Sequence, residues 1–178
     1  MIKIISTILK VILKKVGSGQ KKVKYKIGNV KHHNSRIDEL VPELIEIGDN
    51  FVSAPGSIIL SHDSSMLYKT GMIRAEKTII GDNVFIGANA VVLPGVKIGS
   101  NVIVGAGSVV TKNIKDGLVI AGNPAKIICT IDEYIDKCKS RSVLYETPIA
   151  FKQYFINGKK LSEKDRDEFQ NIVLKKEK

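Results

Sequence analysis

The stretch that decides the fold runs from residue 80 to residue 115 and reads IGDNVFIGANAVVLPGVK, then IGSNVIVGAGSVVTKNIK. An aliphatic residue returns at every sixth position, at Ile80, Ile86, Val92, Ile98, Val104 and Val110. A glycine directly follows four of them, at Gly81, Gly87, Gly99 and Gly105. This period fits neither an α-helix, with about 3.6 residues per turn, nor the two-residue alternation of a half-buried strand.

A chain wound as a triangular prism accounts for the six-residue period. Each six-residue piece is then a short extended strand plus a corner, with one aliphatic side chain pointing inward and a small residue at the corner. Three pieces make one coil, so residues 80–97, 98–115 and 41–58 are predicted to form three coils. The period therefore predicts an all-β solenoid with an aliphatic core, in keeping with only 6% aromatic residues and no Trp.

The period breaks at places that suggest how the chain is divided. The six-residue period is absent over residues 64–77, which predicts a loop that projects from the prism. The run AGNPA at 121–125 ends the repeat, and helical patterns follow over 131–139 and from Ser162 to about Lys175. We expect a basic amphipathic N-terminal segment over 1–26, a β-helix with its excursion loop over 27–128, and a C-terminal extension of capping helices over 129–178.

Positive charge is concentrated near the N terminus. Lys and Arg number 28 against 18 Asp and Glu, a net charge of +10, and eight lysines but no acid precede Ile27. Residues 1–16 place aliphatics on one helical stripe and lysines on the other, which predicts a basic amphipathic helix. Its apolar stripe could lie on the inner membrane surface or pack on the protein or a sister subunit, and both interpretations stay open. The lysines lack interleaved aromatics, so nucleic-acid binding is not expected.

Composition excludes several classes of protein. Apolar residues make up 43% of the chain, enough for a core, but no apolar run reaches the ~18 residues of a membrane span. Cys129 and Cys138 cannot form a disulfide scaffold, and nothing resembles a cleavable signal peptide. His32 and His33 lack a third ligand at useful spacing, so no metal site is expected. We expect a reduced protein of the cytoplasm, peripheral to the membrane at most.

Four segments carry a resemblance to a known family, over residues 80–87, 93–96, 105–112 and 121–126. Through them the sequence resembles the hexapeptide-repeat acyltransferases. It is most similar to the branch with galactoside and maltose acetyltransferases and the O-acetyltransferases of surface polysaccharides. The resemblance implies a left-handed parallel β-helix, a homotrimer with active sites between subunits, and acetyl-CoA as the acetyl donor.

The resemblance also implies catalytic positions. His62, at the start of the excursion loop, matches the family's catalytic histidine and would take the acceptor's proton as the acceptor oxygen attacks the thioester. An imidazole ordinarily changes charge near neutral pH, which suits a general base. Asp63 is a candidate to orient His62. The backbone N–H of Ala88, which follows Gly87, is the candidate donor to the oxyanion on the thioester carbonyl.

Further matched positions line the family's CoA groove. The implied cofactor-binding residues are Phe85, Gly87, Ala88, Ala106, Thr111, Lys112 and Lys126. A small residue at Ala106 lets the pantetheine arm lie against the strand, and Phe85 would form an apolar wall beside the active site. Lys112 and Lys126 match basic positions near the CoA phosphates, where a lysine acts as a point charge. Asn34 matches an asparagine that contacts the acceptor in sugar acetyltransferases.

The resemblance, with these matched positions, implies an acetyl-CoA-dependent O-acetyltransferase that transfers the acetyl group directly to a sugar. The acceptor would be a surface polysaccharide, such as a capsule or O-antigen, or its lipid-linked precursor. Two alternatives stay open: an N-acetyltransferase of a nucleotide-linked amino sugar, for which the same base would serve, and a non-catalytic β-helix scaffold. The excursion loop and N-terminal residues of the neighbouring subunit would recognise the acceptor, and the loop carries no motif that identifies the acceptor.

Overall fold

The computed structural model describes residues 25–29 and 33–176. The amphipathic helix predicted over residues 1–16 lies outside this part of the chain. None of the helices in the described part combines the length and the apolar character needed to cross a membrane.

Short strands of the described residues wind into three sheets, parallel except for the last strand of sheet C, and these sheets form the faces of a prism. Sheet A contains β1 (Lys26–Ile27), β3 (Ile45–Ile47), β8 (Thr78–Ile80) and β11 (Lys97–Ile98). Sheet B contains β2 (Arg36–Ile37), β5 (Ile58–Ile59), β10 (Val91–Val92) and β13 (Val109–Val110). Sheet C contains β4 (Val52–Ser53), β9 (Phe85–Ile86), β12 (Ile103–Val104), β14 (Leu118–Ala121) and β15 (Lys126–Thr130). The chain visits the sheets in the order A, C, B, so each coil stacks on the one before, as a parallel β-helix.

The core consists of aliphatic side chains stacked from coil to coil. On sheet B, Ile59 pairs with Val92 and Val92 with Val110, so one inward position repeats at the same register. All three side chains have no exposed surface. The inward residues of the other sheets are buried in the same way, among them Ile45, Ile47, Ile80, Ile86, Ile98, Val104 and Ile120. The six-residue period is thus the period of core positions.

The last coil differs from the predicted length. Ile114 pairs with Ile98 in sheet A, four residues after the buried Val110, where the six-residue period would have placed its partner at residue 116. The corner at residues 111–113 is therefore two residues shorter than the others. After this coil, β15 turns back and runs antiparallel to β14, which ends the stacking of parallel strands.

In the described part of the chain, a hairpin and three C-terminal helices lie outside the prism. β6 (His62–Asp63) and β7 (Arg74–Ala75) form an antiparallel pair, and the tip between them carries the short helix α1 (Leu67–Thr70). The C-terminal helices are α2 (Ile131–Ser140), α3 (Ile149–Asn157) and α4 (Glu163–Lys176), and a 3-10 turn occupies Pro42–Leu44. A reciprocal pair of hydrogen bonds between Thr130 and Glu133 begins α2.

Asparagines stack at the corner between sheets A and C. Asn50, Asn83 and Asn101 have φ angles of 54°, 56° and 56°, a left-handed conformation that asparagine tolerates better than most residues. Their side-chain amides form a ladder: Asn50 Nδ2 donates to Asn83 Oδ1 (2.8 Å), and Asn83 Nδ2 donates to Asn101 Oδ1 (3.1 Å). The ladder holds successive corners at one register.

Replacing Asn83 tests the contribution of this ladder to stability. Asn83→Ala should lower the free energy of unfolding by about 2 kcal/mol, because it removes both amide bonds and leaves a Cβ at positive φ. Asn83→Gly should lower it by only about 1 kcal/mol, because glycine adopts this conformation without strain. Urea unfolding of the two variants beside the wild type measures both values. Equal losses in the two variants would show that backbone strain contributes nothing here.

Candidate active site

His62 lies at the base of the hairpin, and its ring contacts a carboxylate from the preceding coil. The Nδ1 atom is 2.5 Å from Oδ2 of Asp38. The side chain of Asp38 is 2% exposed and that of His62 is 25% exposed. Asp38 follows β2 directly, and β2 pairs with β5, with Ile37 opposite Ile59. This register brings Asp38 beside the residues that follow β5, although 24 positions separate it from His62.

Asp38 is surrounded by hydrogen-bond donors. Its Oδ2 accepts from the Ser61 N–H (2.9 Å), the Ser61 hydroxyl (3.1 Å) and the His62 N–H (3.0 Å), and its Oδ1 accepts from the Leu40 N–H (3.0 Å). Burial by itself would raise the pKa of Asp38, but the N–H groups of Ser61 and Leu40 and the other donors outweigh it and lower this pKa to about 2.

The charge on Asp38 decides which nitrogen of His62 carries the proton. An ionised carboxylate only accepts hydrogen bonds, so Nδ1 of His62 donates to it, and in the neutral ring Nε2 keeps its lone pair. A cavity of about 350 Å³ opens beside the ring, with Arg36, Glu39, Leu40, Ile58 and Leu60 among its walls. The pair thus presents an oriented imidazole to a cavity, the arrangement that general-base catalysis needs.

The lowered pKa of Asp38 predicts acid sensitivity with a definite sign. The folded-state pKa lies below the ordinary carboxyl value, so the stabilisation is complete above about pH 4 and is lost as the pH falls toward about 2. Over this window, the free energy of unfolding of the wild type should fall by about 2 kcal/mol more than that of Asp38→Asn. Urea titrations at several pH values measure the difference. Parallel pH curves for the two proteins would contradict it.

Asp38, and not Asp63, is the carboxylate that hydrogen-bonds the His62 ring. Oδ1 of Asp63 accepts from the Ser65 N–H at 2.8 Å, and this donor is the main cause of a lowered pKa at Asp63. Successive residues of an extended strand point to opposite sides, so the neighbour of His62 in sequence is poorly placed to reach its ring. The contact with the His62 ring that the sequence suggested for Asp63 is therefore made by Asp38.

The predicted oxyanion donor lies on a different corner, between sheets C and B. The carbonyl of Ala88 accepts from the Gly107 N–H at 2.8 Å, which joins this corner to the next coil. A Cβ at Gly87 would lie 2.5 Å from the backbone nitrogen of Ala106, so the coils touch closely here. Within the described residues, the N–H of Ala88 donates to no acceptor. That free donor is what the predicted role requires.

The other predicted positions divide between the two corners. Asn34 and Lys126 lie near the corner of Ala88, at the entry to β2 and at the start of β15. The Asn34 side chain donates to the Ser53 carbonyl (3.0 Å), so one of its N–H groups is already used. Thr111 and Lys112 are exposed and follow β13, on the corner column that also carries His62.

Phe85 lies elsewhere, on the outer face of sheet C, and is 39% exposed. It lines a cavity of about 550 Å³ together with Phe155 and Ile156 of α3. The expected wall beside His62 is thus not formed by Phe85 within one chain, because outward side chains of sheet C face away from sheet B.

A single chain brings only part of the predicted site together. His62 and Asp38 are in contact, but Ala88 and Ala106 lie across the width of sheet B. That width is on the order of 15 Å, since a strand rises about 3.3 Å per residue. One acetyl group cannot reach both corners of one chain. Among the described residues, no group of three or more His, Cys, Asp or Glu side chains is placed to hold a metal ion.

Known proteins share both the repeat and the fold. Residues 77–112 match the family described as bacterial transferase hexapeptide (six repeats). YvoF of Bacillus subtilis (strain 168), provisionally named an acetyltransferase, is 41% identical over 102 residues, which cover 57% of each chain. The structure resembles a galactoside acetyltransferase solved with coenzyme A, at 31% identity and a TM-score of 0.51, covering 69% of this chain and 60% of that one.

A second solved structure agrees, the hexapeptide-repeat acetyltransferase VCA0836 of Vibrio cholerae in complex with acetyl-CoA. It is 26% identical with a TM-score of 0.51, and the match covers 61% of both chains. The chain thus spans less than two thirds of the length of these relatives. The repeat is nevertheless continuous with the observed coils, and the chain belongs to the hexapeptide-repeat transferase family.

Proposed function

We propose that this protein is an acetyl-CoA-dependent O-acetyltransferase whose acceptor is a hydroxyl group of a sugar in a surface polysaccharide or its lipid-linked precursor. The observation that carries the proposal is the His62–Asp38 pair, with Nε2 of His62 available beside a cavity of about 350 Å³. Pockets for small ligands begin at about 300 Å³, so one sugar ring is a suitable occupant. Relatives solved with coenzyme A or acetyl-CoA support the donor and a left-handed course of the β-helix.

The proposed reaction is a direct transfer with one base. Nε2 of His62 takes the proton from the acceptor hydroxyl as its oxygen attacks the thioester carbon. The carbonyl oxygen becomes an oxyanion and accepts from the free N–H of Ala88. When the C–S bond breaks, the leaving CoA sulfur receives the proton from the imidazolium of His62. Asp38 stabilises that imidazolium throughout, because its carboxylate stays ionised and hydrogen-bonded to Nδ1.

The separation of the two corners supports a homotrimer as the active form. If sheet B faces the three-fold axis, the His62 corner of one chain meets the Ala88 corner of the next, and the two halves of the site come together. The outward residues of sheet B agree, since three of them are apolar and half-buried: Ile58, Val91 and Val109. The outward residues of sheet A are mostly charged: Lys26, Glu46, Ile79 and Lys97. Sheet A thus suits solvent, and sheet B suits a subunit interface.

A charge placed on sheet B should separate the subunits. Val91→Glu is expected to convert the trimer to monomers and to abolish acetyl transfer, because a carboxylate buried without a partner opposes association. Light scattering on a sizing column measures the mass. The matched control is Ile79→Glu, at an outward position of sheet A, which should leave the trimer intact. A Val91→Glu trimer, or a monomeric Ile79→Glu, would contradict this assembly.

Calorimetric titration with acetyl-CoA tests the proposed function itself. Binding in the micromolar range, weakened for dephospho-CoA, is expected if Lys112 and Lys126 contact the nucleotide phosphates. Lys126→Ala should weaken binding of acetyl-CoA but not of dephospho-CoA if it meets the 3′-phosphate, and Lys97→Ala on sheet A serves as a charge-matched control. Absence of binding would refute the acetyltransferase proposal and favour the scaffold.

A further inference from the structure

Arg36 departs from the apolar pattern on the outer face of sheet B. It is the first residue of β2, and in the next three coils the same outward register position carries Ile58, Val91 and Val109. Arg36 is exposed, and it lines the same cavity as His62. A guanidinium group is always charged and carries five N–H donors in a planar fork. The only charged position of this column therefore lies beside the candidate base.

Within the described residues, the guanidinium group of Arg36 has no ion-pair partner. The ion pairs in this part of the chain are His62–Asp38, Arg74–Glu76, Lys77–Glu46 and Lys139–Asp136. The neighbouring Asp38 is buried, and its oxygens already accept five hydrogen bonds from Leu40, Ser61 and His62. Glu39 lines the cavity without an ion pair among these residues. Among the described residues of one chain, the side-chain donors of Arg36 are thus free for a molecule in the cavity.

We propose that Arg36 binds an oxyanion of the acceptor, so that the acceptor class is an acidic sugar. The inference rests on the proposed function, since it takes the cavity beside His62 to be the acceptor site. A carboxylate or a phosphate oxygen pair matches the guanidinium fork with two parallel hydrogen bonds, whereas a neutral hydroxyl forms weaker ones. The acid group at Arg36 would place a hydroxyl of the same sugar near Nε2 of His62.

The preference for an acidic sugar comes from its direct contact with Arg36 rather than from the overall charge of the cavity. Glu39 and Asp38 both carry negative charge near Arg36, so the cavity as a whole is not positive. The Asp38 carboxylate accepts hydrogen bonds from the surrounding N–H and O–H groups, which stabilise its charge. The carboxylate of Glu39 is exposed, so solvent screens its charge. Glu39 opposes the binding of an anion weakly, while the fork of Arg36 contacts it directly. Glu39→Gln is therefore expected to tighten the binding of acidic sugars.

Calorimetry with three ligands tests the proposal on the full-length protein saturated with CoA. The ligands are methyl glucuronide, glucose 1-phosphate and the neutral methyl glucoside. The wild type should bind at least one acidic sugar about tenfold or more tightly than the neutral one, and the tighter acid identifies carboxylate or phosphate as the source. Arg36→Gln should weaken that binding by about 10- to 100-fold, the range for a hydrogen bond to a charged group.

Two further variants test whether the effect depends on the guanidinium group of Arg36 itself. Arg36→Lys keeps the charge without the fork and should recover only part of the affinity. Arg141→Gln removes the same charge from the end of α2 and should leave the affinity unchanged. Equal binding of acidic and neutral sugars, unchanged binding in Arg36→Gln, or no binding of any ligand would each overturn the proposal. Acid binding that depends on Arg36 without any acetyl transfer would instead refute the proposed reaction and leave the acid site standing.

Discussion

The His62→Asn variant is expected to lose acetyl transfer by a factor of about 10² to 10⁴, the usual contribution of a positioned general base. Asparagine is close in size and can still donate a hydrogen bond to Asp38, so the fold around the pair should persist. It has no nitrogen that can take the acceptor's proton. The measurement is the rate of CoA release from acetyl-CoA in the presence of an acceptor sugar, followed by a thiol reagent.

Two controls separate lost chemistry from lost binding. His62→Asn should bind acetyl-CoA with wild-type affinity, because the substitution changes none of the predicted CoA-binding positions. Its free energy of unfolding at neutral pH should stay close to that of the wild type. A variant that binds acetyl-CoA normally and still transfers acetyl at the wild-type rate would eliminate His62 as the base.

Asp38→Asn should lower kcat by about 10² to 10⁴ through its effect on His62, a loss comparable to that seen when the carboxylate of a catalytic triad becomes an amide. An amide nitrogen cannot accept from Nδ1, and an amide oxygen carries no charge to stabilise the imidazolium. The KM for acetyl-CoA should change little, since Asp38 orients the base and does not touch the donor. Steady-state kinetics over a range of pH values measure both parameters, and the pH profile of kcat should shift in Asp38→Asn.

The matched variant is Asp63→Asn, which changes the same group one position after His62. Its kcat should stay within about threefold of the wild type, because the Asp63 carboxylate accepts from Ser65 and not from the His62 ring. A large loss in Asp63→Asn together with a small loss in Asp38→Asn would return the orienting role to Asp63. Similar small losses in both would show that His62 needs no carboxylate partner.

The coils were predictable because their core positions are periodic. Each strand of a coil buries an aliphatic side chain at the same position. The regular spacing of Ile80, Ile86 and Val92 therefore reveals the core positions in the sequence. The corners also depend on single residues, since asparagine at a corner position tolerates the positive φ angle found there. The period did not predict that Ile114 pairs with Ile98, because the last corner is two residues shorter than the others. This shorter corner lies at the end of the solenoid.

Asp38 could not be found by looking near His62 in sequence. The two residues meet because β2 and β5 pair in register across coils, a contact that depends on the length of a whole coil. The six-residue period does not lead to Asp38. Carried back from Ile59 and Ile47 it falls on residues 41 and 35, whereas the structure pairs Ile37 with Ile59, 22 positions away. The coil that contains Asp38 is therefore longer than the predicted coils, and its register with β5 could not be read from the spacing.

The excursion hairpin has a consequence for how relatives of this protein could diverge. Arg36, Asp38 and His62 belong to coils that precede the hairpin, whereas Ala88, Ala106 and Lys126 belong to coils that follow it. In a solenoid each coil contacts only its immediate neighbours, so changes in the first coil, which carries Arg36 and Asp38, should be felt weakly beyond the coil that carries His62. Selection could therefore remodel the coils proposed to recognise the acceptor while the coils proposed to recognise the donor stay constant. A chimera that joins the first two coils of one relative to the later coils of another should keep its donor and acquire a new acceptor.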